Sequence, residues 1–191
     1  MTSAASHGGD VGYSALPHLA GGGASVRQAI AAHFLRDCVH IVEIGGAGAP
    51  ITDFLTHAPR SVTVIDPKIT PFEAATLRGA PCRVRHVAMK LQAHIFEQTD
   101  GALGVALLGL SLKPLGSRPA VSDALVALLR RASVVVIDYA PALERAVAQA
   151  PALIEAARLS AVVSIDLSIT DGVIEQSDYA RRKLLVLRPG V

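Results

Sequence analysis

The chain has 191 residues, 51% of them hydrophobic, with a formal net charge of +2, 4% aromatic residues and no Trp. That length suits one ordinary domain around a single core, here built from Ala, Val and Leu. So small a net charge argues against a strongly charged partner, and nucleic acid is disfavoured: Arg130-Arg131 and Arg181-Arg182-Lys183 lack interleaved aromatics and read as solvated surface.

Residues 1–24 are rich in Gly, Ser and Ala and end in Gly21-Gly22-Gly23, which predicts a flexible segment able to serve as a lid. It has no basic region followed by an apolar run, so it is not a signal peptide. Residues 25–191 form a single domain. Ser25-Val26-Arg27-Gln28 has the S-x-x-Q form of a capping box and opens a helix through about Asp37. His40–Ile44 is strand-like, Pro50–His57 helical and Ser61–Ile65 strand-like again. Pro71–Arg78 reads as helical, Cys82–Ala88 as a strand and Lys90–Glu97 as helix or loop.

Gly104–Leu110 is a strongly apolar strand, too short to span a bilayer, and no membrane association is expected. Val121–Arg131 is helical and Ser133–Ile137 a strand. Pro141–Arg158 is helical, with Pro151 breaking it in two. Ala161–Ile169 and Lys183–Leu187 close the series as strands. Cys38 and Cys82 have no metal-type spacing and read as buried thiols of a reducing compartment, so the expected location is cytoplasmic.

Strands that are apolar throughout and flanked by helices predict a three-layer α/β fold. Seven strands form a mostly parallel sheet, and the last two, joined by the polar loop Thr170–Arg182, pair antiparallel at an edge.

In such sheets ligands sit beyond the carboxyl ends of the strands, where strand order reverses. A glycine turn after the first strand admits a ligand to the backbone, and Asp66, closing the second strand, can accept bonds from a ribose diol. Gly46-Ala47-Gly48-Ala49-Pro50-Ile51 begins like a dinucleotide fingerprint, but Ile51 stands where its last glycine belongs. Glu43 is awkward beside two phosphates and useful beside an ammonium. An NAD-dependent oxidoreductase is therefore disfavoured.

The stretch VEIGGAGAPITDFLTHAPRSVTVIDP resembles the first two motifs of the class I, Rossmann-like S-adenosylmethionine-dependent methyltransferases. Glu43 stands at the leading acid, Gly45 at the first glycine, and Asp66 at the second acid. Ala47 and Ala49 replace the second and third glycines, with Gly46 and Gly48 between them. The likeness runs from about Val26 to Pro189. It implies S-adenosyl-L-methionine as cofactor, with Gly45, Gly46 and Ala47 under the methionine part and Glu43 near its ammonium. Asp66 and Pro67 would hold the ribose. Val87, Ala88 and Met89 would flank the adenine, and Leu108 and Gly109 would offer carbonyls to the methionine amino group.

For the methyl acceptor the signal thins. Gly109-Leu110-Ser111-Leu112-Lys113-Pro114 stands where enzymes that methylate nucleobase amines carry D/N-P-P-Y, and Asp138 alone cannot hold a metal. Metal-free direct transfer to a small, heteroaromatic or phenolic acceptor is the leading expectation, resting on alignment in a dry pocket. Candidate catalytic groups are Asp138 and Tyr139, ending the fifth strand, and Tyr13 and His18 in the lid segment. A homodimer would help so small a chain close its site. A catalytically inactive binding subunit and an RNA methyltransferase stand as alternatives.

Overall fold

A computed structural model of the chain describes residues 23–45, 49–94, 96, 100–108, 119–139, 141, 144–168 and 181–190. Its strands are β1 (His40–Ile44), β2 (Ser61–Ile65), β3 (Phe72–Leu77), β4 (Ala80–Val87), β5 (Leu103–Leu107), β6 (Val134–Tyr139), β7 (Leu159–Ser168) and β8 (Arg181–Pro189). Helix α1 (Gly23–Phe34) precedes β1, α2 (Pro119–Arg131) precedes β6, and α3 (Glu144–Ala156) joins β6 to β7. The strands form one eight-stranded sheet in the order β3-β4-β2-β1-β5-β6-β8-β7. From β4 to β6 all neighbours are parallel; β8 runs antiparallel between β6 and β7, and β3 runs antiparallel beside β4.

The central strands HIVEI, LGVAL and VVVIDY are buried at every residue. That is the expected fate of continuous apolar runs in a parallel sheet covered on both faces. On one face Leu125, Leu128 and Leu129 of α2 and Leu153 of α3 share a core with Val42, Val105, Leu107, Val135 and Ile137. On the other, Ala31 of α1 and Leu35 just after it share a core with Ile41, Ala106, Val136 and Leu184. Each such leucine contributes about 1.5–3 kcal/mol by leaving water. Among the described residues no helix is long and apolar enough to cross a membrane.

The sheet has one strand more than the sequence suggested. Phe72–Leu77, expected within a helix over Pro71–Arg78, is a strand. Arg78 and Gly79 have φ of 52° and 75°, a pair of left-handed residues that closes a tight hairpin and folds β3 back onto β4. Phe72 and Ala74 pack against the core while Glu73 and Ala75 face water. The helix expected over Pro50–His57 shrinks to a single 3-10 turn, Ile51–Asp53, and Lys90–Glu97 yields only the turn Leu91–Ala93.

Two smaller differences concern the helices. Helix α1 begins two residues before Ser25, so Ser25 is not its cap and Gln28 is freed for another task. Helix α3 runs unbroken through Pro151, which is exposed, so the hydrogen bond it cannot make is lost on the solvent side. The last two strands pair antiparallel at one edge of the sheet, as the sequence suggested, with β7 outermost.

Candidate functional site

From β1 the chain passes to β2 on one flank of the sheet, while β5 leads to β6 on the other. The crevice beyond Ile44 and Leu107 is therefore the point where strand order reverses, the usual ligand site of such sheets. Gly45 stands there with φ +99°, and its N–H donates to Ile65 O at 3.0 Å. A Cβ at this position would lie 2.3 Å from the carbonyl oxygen of Leu108. Backbone conformation and space both demand glycine, because the ends of β1 and β5 are drawn together here. Gly45 and Leu108 thus come together at the crevice. Gly46, Ala47 and Gly109 lie outside the described residues.

Glu43 has a different place from the one expected. It points to the α1 face of the sheet and is wholly buried. Its Oε2 accepts the Ile51 N–H at 2.7 Å and its Oε1 accepts Gln28 Nε2 at 2.6 Å, while the same Nε2 donates to Ala49 O at 2.6 Å. The carboxyl group fastens the far end of the glycine turn from below and is not offered to an ammonium. Burial pushes its pKa up to about 8, the two donors pull it down, and Asp53 and Asp66 push it further up. Asp53 and Asp66 are near enough to act on it, and their charge suits a cationic ligand and opposes a pyrophosphate.

Asp66 follows β2 directly. Its Oδ1 accepts the Lys68 N–H at 2.7 Å, and its own N–H donates to Val87 O at 3.2 Å. Val87 O also accepts from Met89 N at 2.9 Å, so the ends of β2 and β4 are tied at one carbonyl. Asp66, Val87, Ala88 and Met89 are thereby gathered on one side of the glycine turn. Pro67 and Ala88 are exposed, and Met89 packs half-buried against the core.

At the end of β6 the structure corrects two expectations. Asp138 is fully buried and held by two guanidinium groups. Arg182 Nε donates to Oδ1 at 3.0 Å and its Nη2 to Oδ2 at 2.7 Å, while Arg27 Nη1 donates to Oδ2 at 2.6 Å. A carboxylate so committed is an anchor, not a general base. Tyr139 turns to the opposite face, where it belongs to the core with Leu153 and Leu185. Tyr13 and His18 lie outside the described residues. Gln28 and Arg27 hold the Glu43 and Asp138 carboxylates without having been singled out as site residues from the sequence, and Arg182, expected on a solvated surface, is buried. The only signal was the pair Arg27-Gln28 near the start of a helix otherwise rich in alanine.

No family model and no curated protein matches the chain. Solved structures do. The N-methyltransferase NodS from Bradyrhizobium japonicum WM9, in complex with S-adenosyl-L-homocysteine, is similar at 13% identity and a TM-score of 0.56, over 94% of either chain. A second is the 1,6-didemethyltoxoflavin-N1-methyltransferase of Burkholderia thailandensis, with bound 1,6-didemethyltoxoflavin and S-adenosylhomocysteine. It matches at 19% identity and 0.53, over 88% of this chain and 78% of that one. The TehB-like S-adenosylmethionine-dependent methyltransferase of Corynebacterium glutamicum matches at 14% identity and 0.51, over 85% and 87%. With the strand order around Gly45, these likenesses show that the chain has the Rossmann-like fold of the class I S-adenosylmethionine-dependent methyltransferases.

Proposed function

We propose that the protein is an S-adenosylmethionine-dependent methyltransferase that transfers a methyl group directly to a small-molecule acceptor, without a metal. The observation that carries this reading is the cradle at Gly45, where a Cβ would strike the Leu108 carbonyl at the point where strand order reverses. The cofactor would supply an electrophilic methyl group on a sulfonium. Its fit here is supported by the glycine cradle and by the nearby carboxylates of Asp53 and Asp66.

Each residue then has a physical task. Glu43 and Gln28 tie Ala49 and Ile51 to β1 and α1. Asp66 accepts from the ribose hydroxyls, with Pro67 beside it. Val87, Ala88 and Met89 flank the adenine with backbone and thioether, and the Leu108 carbonyl faces the methionine end. Asp138 and Tyr139 are withdrawn as catalytic groups, which leaves Tyr13 and His18 as the candidates to take the acceptor's proton. The rate would rest mainly on aligning the nucleophile with the methyl group in a water-poor crevice.

Calorimetric titration with S-adenosylhomocysteine, run beside NAD, tests the reading. Binding of the first alone is expected, and Asp66→Ala should weaken it by about 1.5–3 kcal/mol, roughly ten- to a hundredfold. Binding of neither ligand would overturn the reading in favour of a non-catalytic partner subunit. RNA binding that falls steeply with salt would instead favour an RNA acceptor.

A further inference from the structure

The two ends of the sheet are finished differently. The outer strand β3 has six residues, a bulge between Ala74 and Thr76, and Glu73 set 3.4 Å from Arg85. Short length, bulges and charges are the usual devices that keep a sheet edge from pairing with another chain. At the opposite end β7 has ten residues, and among the described residues no strand pairs with it beyond β8. Its own bulge, between Ala161 and Val163, lies near its start and leaves Val163–Ser168 in unbroken register with β8. That stretch holds no proline and no lysine, and its single charge is Asp166.

The stretch has two unlike faces. Val163, Ile165 and Leu167 lean half-buried against the core of the α1 face, while Ser164 and Asp166 are exposed on the other. A second copy laid antiparallel along this edge keeps its faces matched only in registers that set a residue of like facing opposite each one. Centred on Asp166, the pairing sets two carboxylates directly opposite each other, which destabilises it. Centred on Val163 or Ser164, it draws in the bulge, and centred on Leu167 it runs past the end of the strand. The register centred on Ile165 avoids all three faults. It sets Ile165 against its own copy and Val163 against Leu167. The Ser164 hydroxyl then faces the Asp166 carboxylate, so the one charge of the edge meets a donor.

We propose that β7 is an interface between two copies of this chain, paired antiparallel along Val163–Ser168 about a twofold axis at Ile165. The two eight-stranded sheets become one. Backbone groups on the outer side of β7 gain partners, and Val163, Ile165 and Leu167 of both copies form one apolar layer continuous with the α1-face core. Because β8 is antiparallel to both β6 and β7, β7 runs parallel to β6. The carboxyl ends of the two sheets therefore point in opposite directions, and both crevices at Gly45 stay open to ligand. The inference does not depend on the methyltransferase reading.

Sedimentation of the full chain over a concentration series tests this. Wild type is expected to be a dimer that dissociates on dilution. Ile165→Lys sets two ammonium groups opposite each other and should weaken the dimer roughly tenfold or more. Ala75→Lys, exposed on β3 at the other edge, should leave it unchanged. Because Ile165 is half-buried, a second measurement uses exposed positions alone: Ser164→Cys and Asp166→Cys, oxidised mildly as a mixture and separately. Cys38 and Cys82 are buried and do not compete. Directly opposed residues lie close to disulfide reach, whereas the thiols of either variant alone sit on a diagonal and further apart. Cross-linking in the mixture and in neither variant alone is expected. A wild type that stays monomeric at the highest concentration overturns the proposal and leaves the edge to a strand of another protein. A dimer that Ile165→Lys leaves intact overturns it too, as does a variant that cross-links to itself as readily as the mixture.

Discussion

On one side of the glycine turn, β5 and β6 are buried throughout, flanked by β8 and covered by α1, α2 and α3. On the other, β2 mixes buried and half-buried residues while β4 and β3 carry exposed ones, and their connections are single turns and a hairpin. The two flanks differ in how they fix the ends of their strands. The helical flank uses packing and a buried ionic anchor at Asp138. The thin flank uses backbone ties, such as the shared Val87 carbonyl, and Arg78, whose guanidinium bonds Leu55 O and Asp53 O beyond the glycine turn. The site lies on the seam, so a cofactor there would touch one side built to be rigid and another held by a few hydrogen bonds.

That contrast can be broken most severely at the ionic anchor. Asp138→Ala takes the shared carboxylate from the buried Arg182 and the part-buried Arg27 and should cost about 3–5 kcal/mol, read as a loss of urea midpoint. A loss below about 1 kcal/mol would mean that water reaches the cluster and that the helical flank is not rigid there. Next comes a matched pair of glycines. Gly45→Ala combines a left-handed φ with a clash against backbone and should cost about 3 kcal/mol and abolish detectable cofactor binding. Gly79→Ala has φ +75° with nothing within 4 Å, so strain alone applies, about 1–2 kcal/mol. Equal losses at the two positions would show that the approach to Leu108 can relax.

How much of this was legible in the sequence follows the same seam. Continuous apolar runs announced β1, β5 and β6, and the acid closing β2 announced Asp66, because a strand's end is a local property. The hairpin was missed. FEAATL carries helix-compatible residues, and its turn is Arg-Gly, without the Asn or Asp that usually marks such a turn. Glu43 was placed near the ligand because it leads the motif. Yet within a strand successive side chains alternate faces, and Glu43 shares that of Ile41, toward α1. Asp138 was noticed at its strand end, but its partners lie 111 and 44 residues away, and no spacing rule reveals such meetings.

Glu43 offers a smaller test, tied to pH. Its carboxyl titrates near about 4.3 in an unfolded chain, whereas burial holds it at about 8 in the fold. Between those values the native state keeps a proton that the unfolded state has lost, so this group makes stability fall as pH rises through that window. Glu43→Gln should remove that slope, seen in urea melts near about pH 5 and about pH 8. Parallel slopes in mutant and wild type would mean that the Ile51 and Gln28 donors keep the carboxylate ionised.

The smallest effect belongs to the thin flank and completes the contrast with Asp138. Glu73 on β3 and Arg85 on β4 approach to 3.4 Å, but the glutamate side chain is 77% exposed. Water screens such a pair, and holding two long side chains in one geometry offsets most of the attraction. Glu73→Ala should therefore change stability by about 0.5 kcal/mol or less, and the change should fade in high salt. A loss approaching that of Asp138→Ala would mean that the hairpin, too, relies on charge to stay folded against β4. The thin flank would then owe its order to an ion pair as much as to the Arg78-Gly79 turn.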